Sequence, residues 1–208
     1  MRDLPLTLLT ATIWVYWLVA GALVVRMHRK TKTFAGAIPE QRLEQAMWVV
    51  WVPLVVAWVV LPYLAATRTH PLLAVPEFAR QDPLFSAVRW GAAVCAILCL
   101  AATVACWRRM GKSWRMAVTP RERTELVTTG MYTYLRHPIY AFSILLMLCS
   151  AVVVATVPMS IVAAIHIALT ALKAQNEERF LLTVHGDAYR SYCRRTGRFF
   201  PRLRSQDS

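Results

Sequence analysis

Acidic residues are scarce in this chain. Only 11 Asp and Glu stand against 24 Lys and Arg, and charged residues of all kinds make up 17% of its 208 positions. Soluble domains carry about one quarter charged residues, so a soluble globular class is disfavoured. No G-x-G-x-x-G follows a strand-like run, which excludes a Rossmann cofactor domain. The five cysteines form no C-x-x-C pair. Cys95, Cys99, Cys106 and Cys149 lie in apolar stretches and Cys193 in a basic tail, so they read as small packing residues. No Cys/His cluster has metal-ligand spacing, and no metal is expected. Low-complexity tracts and internal repeats are absent, which removes the disordered and fibrous classes.

Long apolar runs are what the chain does have, with 57% hydrophobic residues. Pro5 to Val25 is 21 residues without a charge, enough to cross a hydrocarbon core of about 30 Å at ~1.5 Å per residue. It is too long for the core of a cleaved signal peptide, and its positive charges follow it. Ala46 to Ala66 forms a second span, interrupted by Pro53 and Pro62, and Trp90 to Trp107 a third. Ile139 to Leu172 is 34 residues without a charge, which predicts a tight helical hairpin. Its first helix runs to about Val157 and its second starts at about Pro158, where the missing N–H costs nothing. The fold class expected is all-α: an integral membrane bundle of about five transmembrane helices with a cytosolic amphipathic tail. Three N-terminal helices occupy 1–107, and 108–208 forms a second, chemistry-bearing half.

The cations sort by side. Of the 24 Lys and Arg, 20 fall between spans one and two, between spans three and four, or after span five; only Arg2, Arg68, Arg80 and Arg89 lie opposite. The positive-inside rule puts the N-terminus outside and the C-terminus in the cytosol. Cationic flanks facing lipid headgroups account for nearly all of the net charge of +13. No soluble basic module is visible, so no nucleic-acid partner is expected. The excess of Arg over Lys points to a GC-rich bacterial source, hence the bacterial inner membrane.

Two polar segments on the cytosolic side, 108–140 and 173–201, hold acids and tyrosines that a cationic flank does not need. In Tyr132-Thr133-Tyr134-Leu135-Arg136-His137-Pro138-Ile139-Tyr140, Pro138 forces His137 out of helical geometry and opens the next helix. His137 and Arg136 then stand at a helix mouth, which attracts carboxylates and phosphates. Lys173 and Glu177 are i,i+4 neighbours, with Glu178 adjacent. Acids just beyond an apolar span are costly and usually functional. S-adenosylmethionine, with its carboxylate, ammonium, sulfonium and ribose, suits this set; NADPH suits the Arg/His part equally well.

Leu126-Val127-Thr128-Thr129-Gly130-Met131-Tyr132, Arg136-His137-Pro138-Ile139-Tyr140, Glu177-Glu178-x-x-Leu181, Gly186-x-x-Tyr189-x-x-Tyr192 and Arg198-x-x-Pro201 occur in this order. Together they resemble the isoprenylcysteine carboxyl methyltransferase and phospholipid methyltransferase superfamily. Gly111-Lys112-Ser113-Trp114-Arg115 is similar to its bacterial members. The resemblance implies an integral membrane methyltransferase using S-adenosylmethionine, its lipophilic small-molecule acceptor entering from among the membrane lipids. By position, Leu126, Val127, Tyr132, Arg136, His137, Pro138, Tyr140 and Glu177 would touch the cofactor, and Lys173 would orient the acceptor. Lys173 stands where eukaryotic members have an arginine fork, which argues against a carboxylate acceptor. Glu178 is the candidate catalytic base for a protonated acceptor. Two other classes remain open: an NADPH-dependent membrane reductase, because sterol reductases resemble this family in their C-terminal half, and a non-catalytic membrane protein of the same fold.

Overall fold

A computed structural model describes residues 3–31, 41–67, 70–111, 114 and 126–202, and within them the chain is a bundle of α-helices without a strand. In chain order these are α1 (Leu4–Thr31), α2 (Arg42–Thr67), α3 (Glu77–Gln81), α4 (Pro83–Met110), α5 (Pro138–Val154) and α6 (Val157–Arg195). A 3-10 turn at Gly130–Thr133 precedes α5.

Local chemistry explains the boundaries. Asp82 caps α4, its Oδ1 accepting the Phe85 N–H at 2.7 Å, and Pro83 takes the first turn. Pro138 opens α5 after His137, which is non-helical at φ −125°, ψ 62°. α5 stops where Ala155 turns left-handed at φ 53°. α6 starts with Pro158 in its first turn. The first helix of the hairpin thus ends three residues earlier than expected, and the second starts one residue earlier.

α1, α2, α4 and α6 are long and apolar enough to cross a membrane. α5 has 17 residues, about 26 Å of rise, at the lower limit for a crossing. Four helices of spanning length and one shorter apolar helix thus stand where about five spans were expected. The third span is longer than expected because the Asp82 cap sets its start. α6 runs for 39 residues, about 58 Å, so its charged second half emerges from the apolar layer. The expected interfacial tail is helical to Arg195, past a bend at Gly186 (φ 50°) that suits a residue lacking a Cβ. This is an all-α integral membrane bundle.

Its packing is that of a protein solvated by lipid. Large apolar side chains such as Leu18, Val49, Val56 and Leu98 face outward. Leu9 and Ile13 of α1, Ala93 and Ala96 of α4, Leu146 and Val153 of α5 and Met159 of α6 fill the centre. The small residues on α4 let α5 approach closely, as membrane helices require when no water drives them together. Polar side chains tie helices across the core. The Trp58 indole donates to Ser150 Oγ at 3.0 Å, and Ser143 Oγ pairs with His166 Nε2 at 3.0 Å.

At one end of the bundle Arg89 is almost fully buried. It donates to the Val153 carbonyl at 2.9 Å and pairs with Asp3 at 2.7 Å. Asp3 also accepts the Leu6 N–H at 3.2 Å. One guanidinium thus joins the start of α1, α4 and the end of α5. Removing one partner of a buried pair strands the other charge, at a cost of about 3–5 kcal/mol. Asp3→Ala is expected to lower the thermal midpoint in detergent accordingly, and Asp3→Leu combined with Arg89→Met to recover most of the loss.

Candidate functional site

The site lies where α5 begins and the charged half of α6 emerges. Three pieces of chain meet there: the segment from Leu126 to His137, α6, and a strap formed by residues 196–202. Backbone hydrogen bonds hold the strap against the segment: Gly197 N–H to Tyr134 O at 3.1 Å, Arg136 N–H to Gly197 O at 2.8 Å, and His137 N–H to Arg198 O at 3.2 Å. Gly197 is required by close approach, since a Cβ there would lie 1.6 Å from the Phe200 carbonyl oxygen. The Tyr192 hydroxyl, its pKa pushed up to about 12 by burial, donates to the Tyr132 carbonyl at 2.6 Å.

Glu178 anchors this assembly. Its Oε1 accepts from Arg136 Nε at 2.9 Å and Arg198 Nε at 3.1 Å, and its Oε2 from an Arg198 terminal nitrogen at 2.6 Å. His137 Nε2 lies 3.4 Å from Oε1. Arg136 also donates to the carbonyls of Cys193 and Thr196. Burial alone would raise the Glu178 pKa. The nearby His137 ring and the hydrogen bonds from Arg198 and Arg136 outweigh it and hold the carboxyl well below its ordinary 4.5. Glu178 is therefore suited to orienting two guanidinium groups rather than to accepting a proton.

Glu177 points the other way. The Tyr140 hydroxyl donates to its Oε1, Lys173 Nζ lies 3.9 Å from the same oxygen, and His137 Nδ1 lies 3.6 Å from Oε2. The His137 and Tyr140 rings stack at 5.4 Å with 7° between planes. The adjacent acids thus divide: one faces the strap, the other a hollow.

That hollow has an empty volume of about 760 Å³, its open mouth included. Leu126, Val127, Tyr132, Arg136, His137, Pro138, Tyr140 and Glu177 all line it. The eight residues assigned to the cofactor by resemblance are thus brought together. Tyr132 and Tyr189 line it too, and their buried hydroxyls have no protein partner. Burial raises both pKa values above the ordinary 10, so both stay protonated donors at neutral pH. A ligand bearing acceptor oxygens, such as a carboxylate or ribose, fits this set.

A second hollow, about 860 Å³ with its mouth, lies beside the first. Trp114, Ile139 and Tyr140 line both. α1 and α2 contribute Tyr16, Trp17, Glu44, Trp48 and Trp51, and α6 contributes His166 and Lys173. Lys173 is therefore placed in this hollow, next to the residues lining the first. His166 pairs with Ser143 and also lines the wall.

Glu44 was not among the residues that sequence reasoning selected. It is buried at 1% exposure, lies 3.8 Å from Lys173 Nζ, and accepts from Asn176 Nδ2 at 3.4 Å. Asn176 also donates to Gln41 at 2.8 Å. The available signal was the same one that marked Glu177: an acid at the edge of an apolar span. Lys112, Ser113 and Arg115 of the upstream motif lie outside the described residues.

Residues 92–183 match the profile of the Isoprenylcysteine carboxyl methyltransferase (ICMT) family. The chain is similar to the nickel-cobalt-cadmium resistance protein NccN of Alcaligenes xylosoxydans xylosoxydans, at 32% identity over 95 residues, 45% of each chain. It is also similar to the cobalt-zinc-cadmium resistance protein CzcN of Cupriavidus metallidurans, at 32% over 96 residues, 45% of this chain and 44% of that one. The chain thus spans under half the length of these curated relatives.

Because the Glu178 pKa is depressed in the folded state, its contribution is complete above 4.5 and is lost as pH falls below that value. In thermal melts in detergent the wild type is expected to lose stability in that acid window, and Glu178→Gln to show a flatter pH profile. At neutral pH Glu178→Ala should cost about 3 kcal/mol, because two guanidinium groups lose their shared partner.

Proposed function

We propose, from the ICMT-family segment at 92–183, that the protein is an integral membrane methyltransferase that uses S-adenosylmethionine and methylates a lipophilic acceptor. One observation carries the reading: a hollow lined by the eight residues the resemblance assigns to the cofactor shares a wall with a second, aromatic-lined hollow built partly by α1 and α2. The distribution of cations supports an orientation with the N-terminus outside and the C-terminus cytosolic, in a bacterial inner membrane. The relatives' names concern resistance to metal ions, not a reaction.

S-adenosylmethionine, when bound, supplies a methyl group already activated by the sulfonium charge. The chain's own residues bind, orient and exclude water. Tyr132 and Tyr189 offer hydroxyl donors, and Glu177, steadied by Tyr140, offers a carboxylate to a hydroxyl or ammonium. The stacked His137 and Tyr140 rings give a flat wall at the mouth of α5. Glu178 acts through Arg136 and Arg198, fixing the strap against the segment whose Arg136 and His137 line the pocket. Holding two reactants in line can supply about 7–11 kcal/mol of a barrier, so positioning carries much of this design.

Isothermal titration of the purified protein in detergent with S-adenosylhomocysteine should give saturable binding. His137→Ala and Glu177→Ala should each weaken it at least ten-fold, or ~1.4 kcal/mol. Label from S-adenosylmethionine carrying a radioactive methyl group should enter a component of a total lipid extract. Saturable binding of NADPH with none of S-adenosylhomocysteine would overturn the reading in favour of a reductase.

A further inference from the structure

An indole nitrogen donates a hydrogen bond and never accepts one. Two indoles of the bundle meet that need within the protein: Trp58 donates to Ser150 Oγ at 3.0 Å and Trp14 to the Val59 carbonyl at 3.3 Å. Trp17 and Trp107 do not. Their indole nitrogens are buried and have no hydrogen-bond partner among the described residues. Both residues line the second hollow, and Trp107 is only 5% exposed. The Tyr16 ring stands between them, its centroid 5.3 Å from Trp17 and 5.2 Å from Trp107.

His166 of α6 adds a third nitrogen to the same hollow. It is 3% exposed, Ser143 engages its Nε2, and its Nδ1 is buried without a partner among the described residues. When the Ser143 hydroxyl donates to Nε2, Nδ1 carries the ring proton and becomes a further donor. Buried polar groups left unpaired are costly, and native interiors keep few of them. The edge-on neighbours, Trp51 beside Trp17 and Trp114 beside Trp107, offer at best N–H···π contacts, which are weaker than a bond to oxygen.

The chemistry of an occupant follows. A pure hydrocarbon would leave all three nitrogens unpaired. A ligand ammonium would set donors against donors. A carboxylate accepts, but brings a charge into the apolar layer. A neutral carbonyl or ether oxygen accepts from an indole N–H and brings none. We propose that the second hollow is a recognition site for a lipophilic molecule bearing a neutral acceptor oxygen, with Trp17 and Trp107 as the donors that select it and His166 as a third contact. The inference rests on the methyltransferase reading only in calling the occupant the methylated substrate. The preference for neutral oxygen follows from the hollow itself. It gives α1 and α4 a role in recognition, since they supply Trp17 and Trp107.

The test compares benzylacetone with isopentylbenzene, which puts a methyl group where the ketone has its oxygen. Each is titrated at known free concentration into the full chain in neutral detergent, with tryptophan indoles labelled with nitrogen-15. Benzylacetone should bind at least ten-fold more tightly. It should move two indole N–H proton resonances downfield, and Trp17→Phe and Trp107→Phe should each delete one of them. Each substitution should weaken benzylacetone at least five-fold and leave isopentylbenzene within two-fold, which also shows that the variants are folded. Equal affinity for the two probes, binding of neither, or a ketone-induced shift confined to other indoles would overturn the proposal. S-adenosylhomocysteine binding without a ketone preference sinks this inference alone. A ketone preference without S-adenosylhomocysteine binding sinks the methyltransferase reading and leaves the oxygen site standing.

Discussion

A carboxylate where α6 leaves the apolar layer must find positive charge, and Glu178 finds it twice. Arg136 arrives from the segment before α5 and Arg198 from the strap after α6. Neither piece of chain has a helix of its own to hold it there. The shared anion, with a few backbone hydrogen bonds, fixes both against α6. The walls that depend on this fixation include His137 and Tyr132, so the shape of the first hollow follows from one ion cluster. The cluster is only partly exposed, which keeps its electrostatics stronger than those of a surface pair.

Adjacent acids on a helix face about 100° apart, and that simple fact divides the labour. Glu178 turns to the guanidinium groups, while Glu177 turns to Tyr140, Lys173 and the hollow. Lys173 then links Glu177 to Glu44 on α2, the point at which the N-terminal helices reach the chemistry-bearing half. The two hollows are neighbours because α5 is short and begins at Pro138. Its first turn places Ile139 and Tyr140 in the wall between them.

Much of the fold was legible because hydrocarbon imposes a simple code. Uncharged runs of sufficient length mark helices, and Pro138 and Pro158 mark where two of them start, whereas the start at Pro83 was missed. Motif order singled out eight residues from Leu126 to Glu177, and these share one hollow. Less legible was anything set by three-dimensional partners. The partners of Glu178, Arg136 and Arg198, come from segments distant in sequence. Glu44 was not singled out, because its relation to Lys173 and Asn176 crosses more than 120 residues. The length of α6 was hidden by the charges after Lys173, which resemble the end of a helix but belong to one that continues out of the layer. The short α3 was also not anticipated; its five residues are too few for any hydrophobic period to show.

The central claim is that donor and acceptor occupy neighbouring hollows separated by the first turn of α5. An experimental structure of the protein with S-adenosylhomocysteine tests it most directly. The account predicts the nucleoside and amino-acid parts among Leu126, Tyr132, His137 and Glu177, with the sulfur next to Tyr140 and facing the indole-lined hollow. Density for the ligand elsewhere, or a sulfur turned away from Tyr140 with closed protein between it and Trp51, would contradict it.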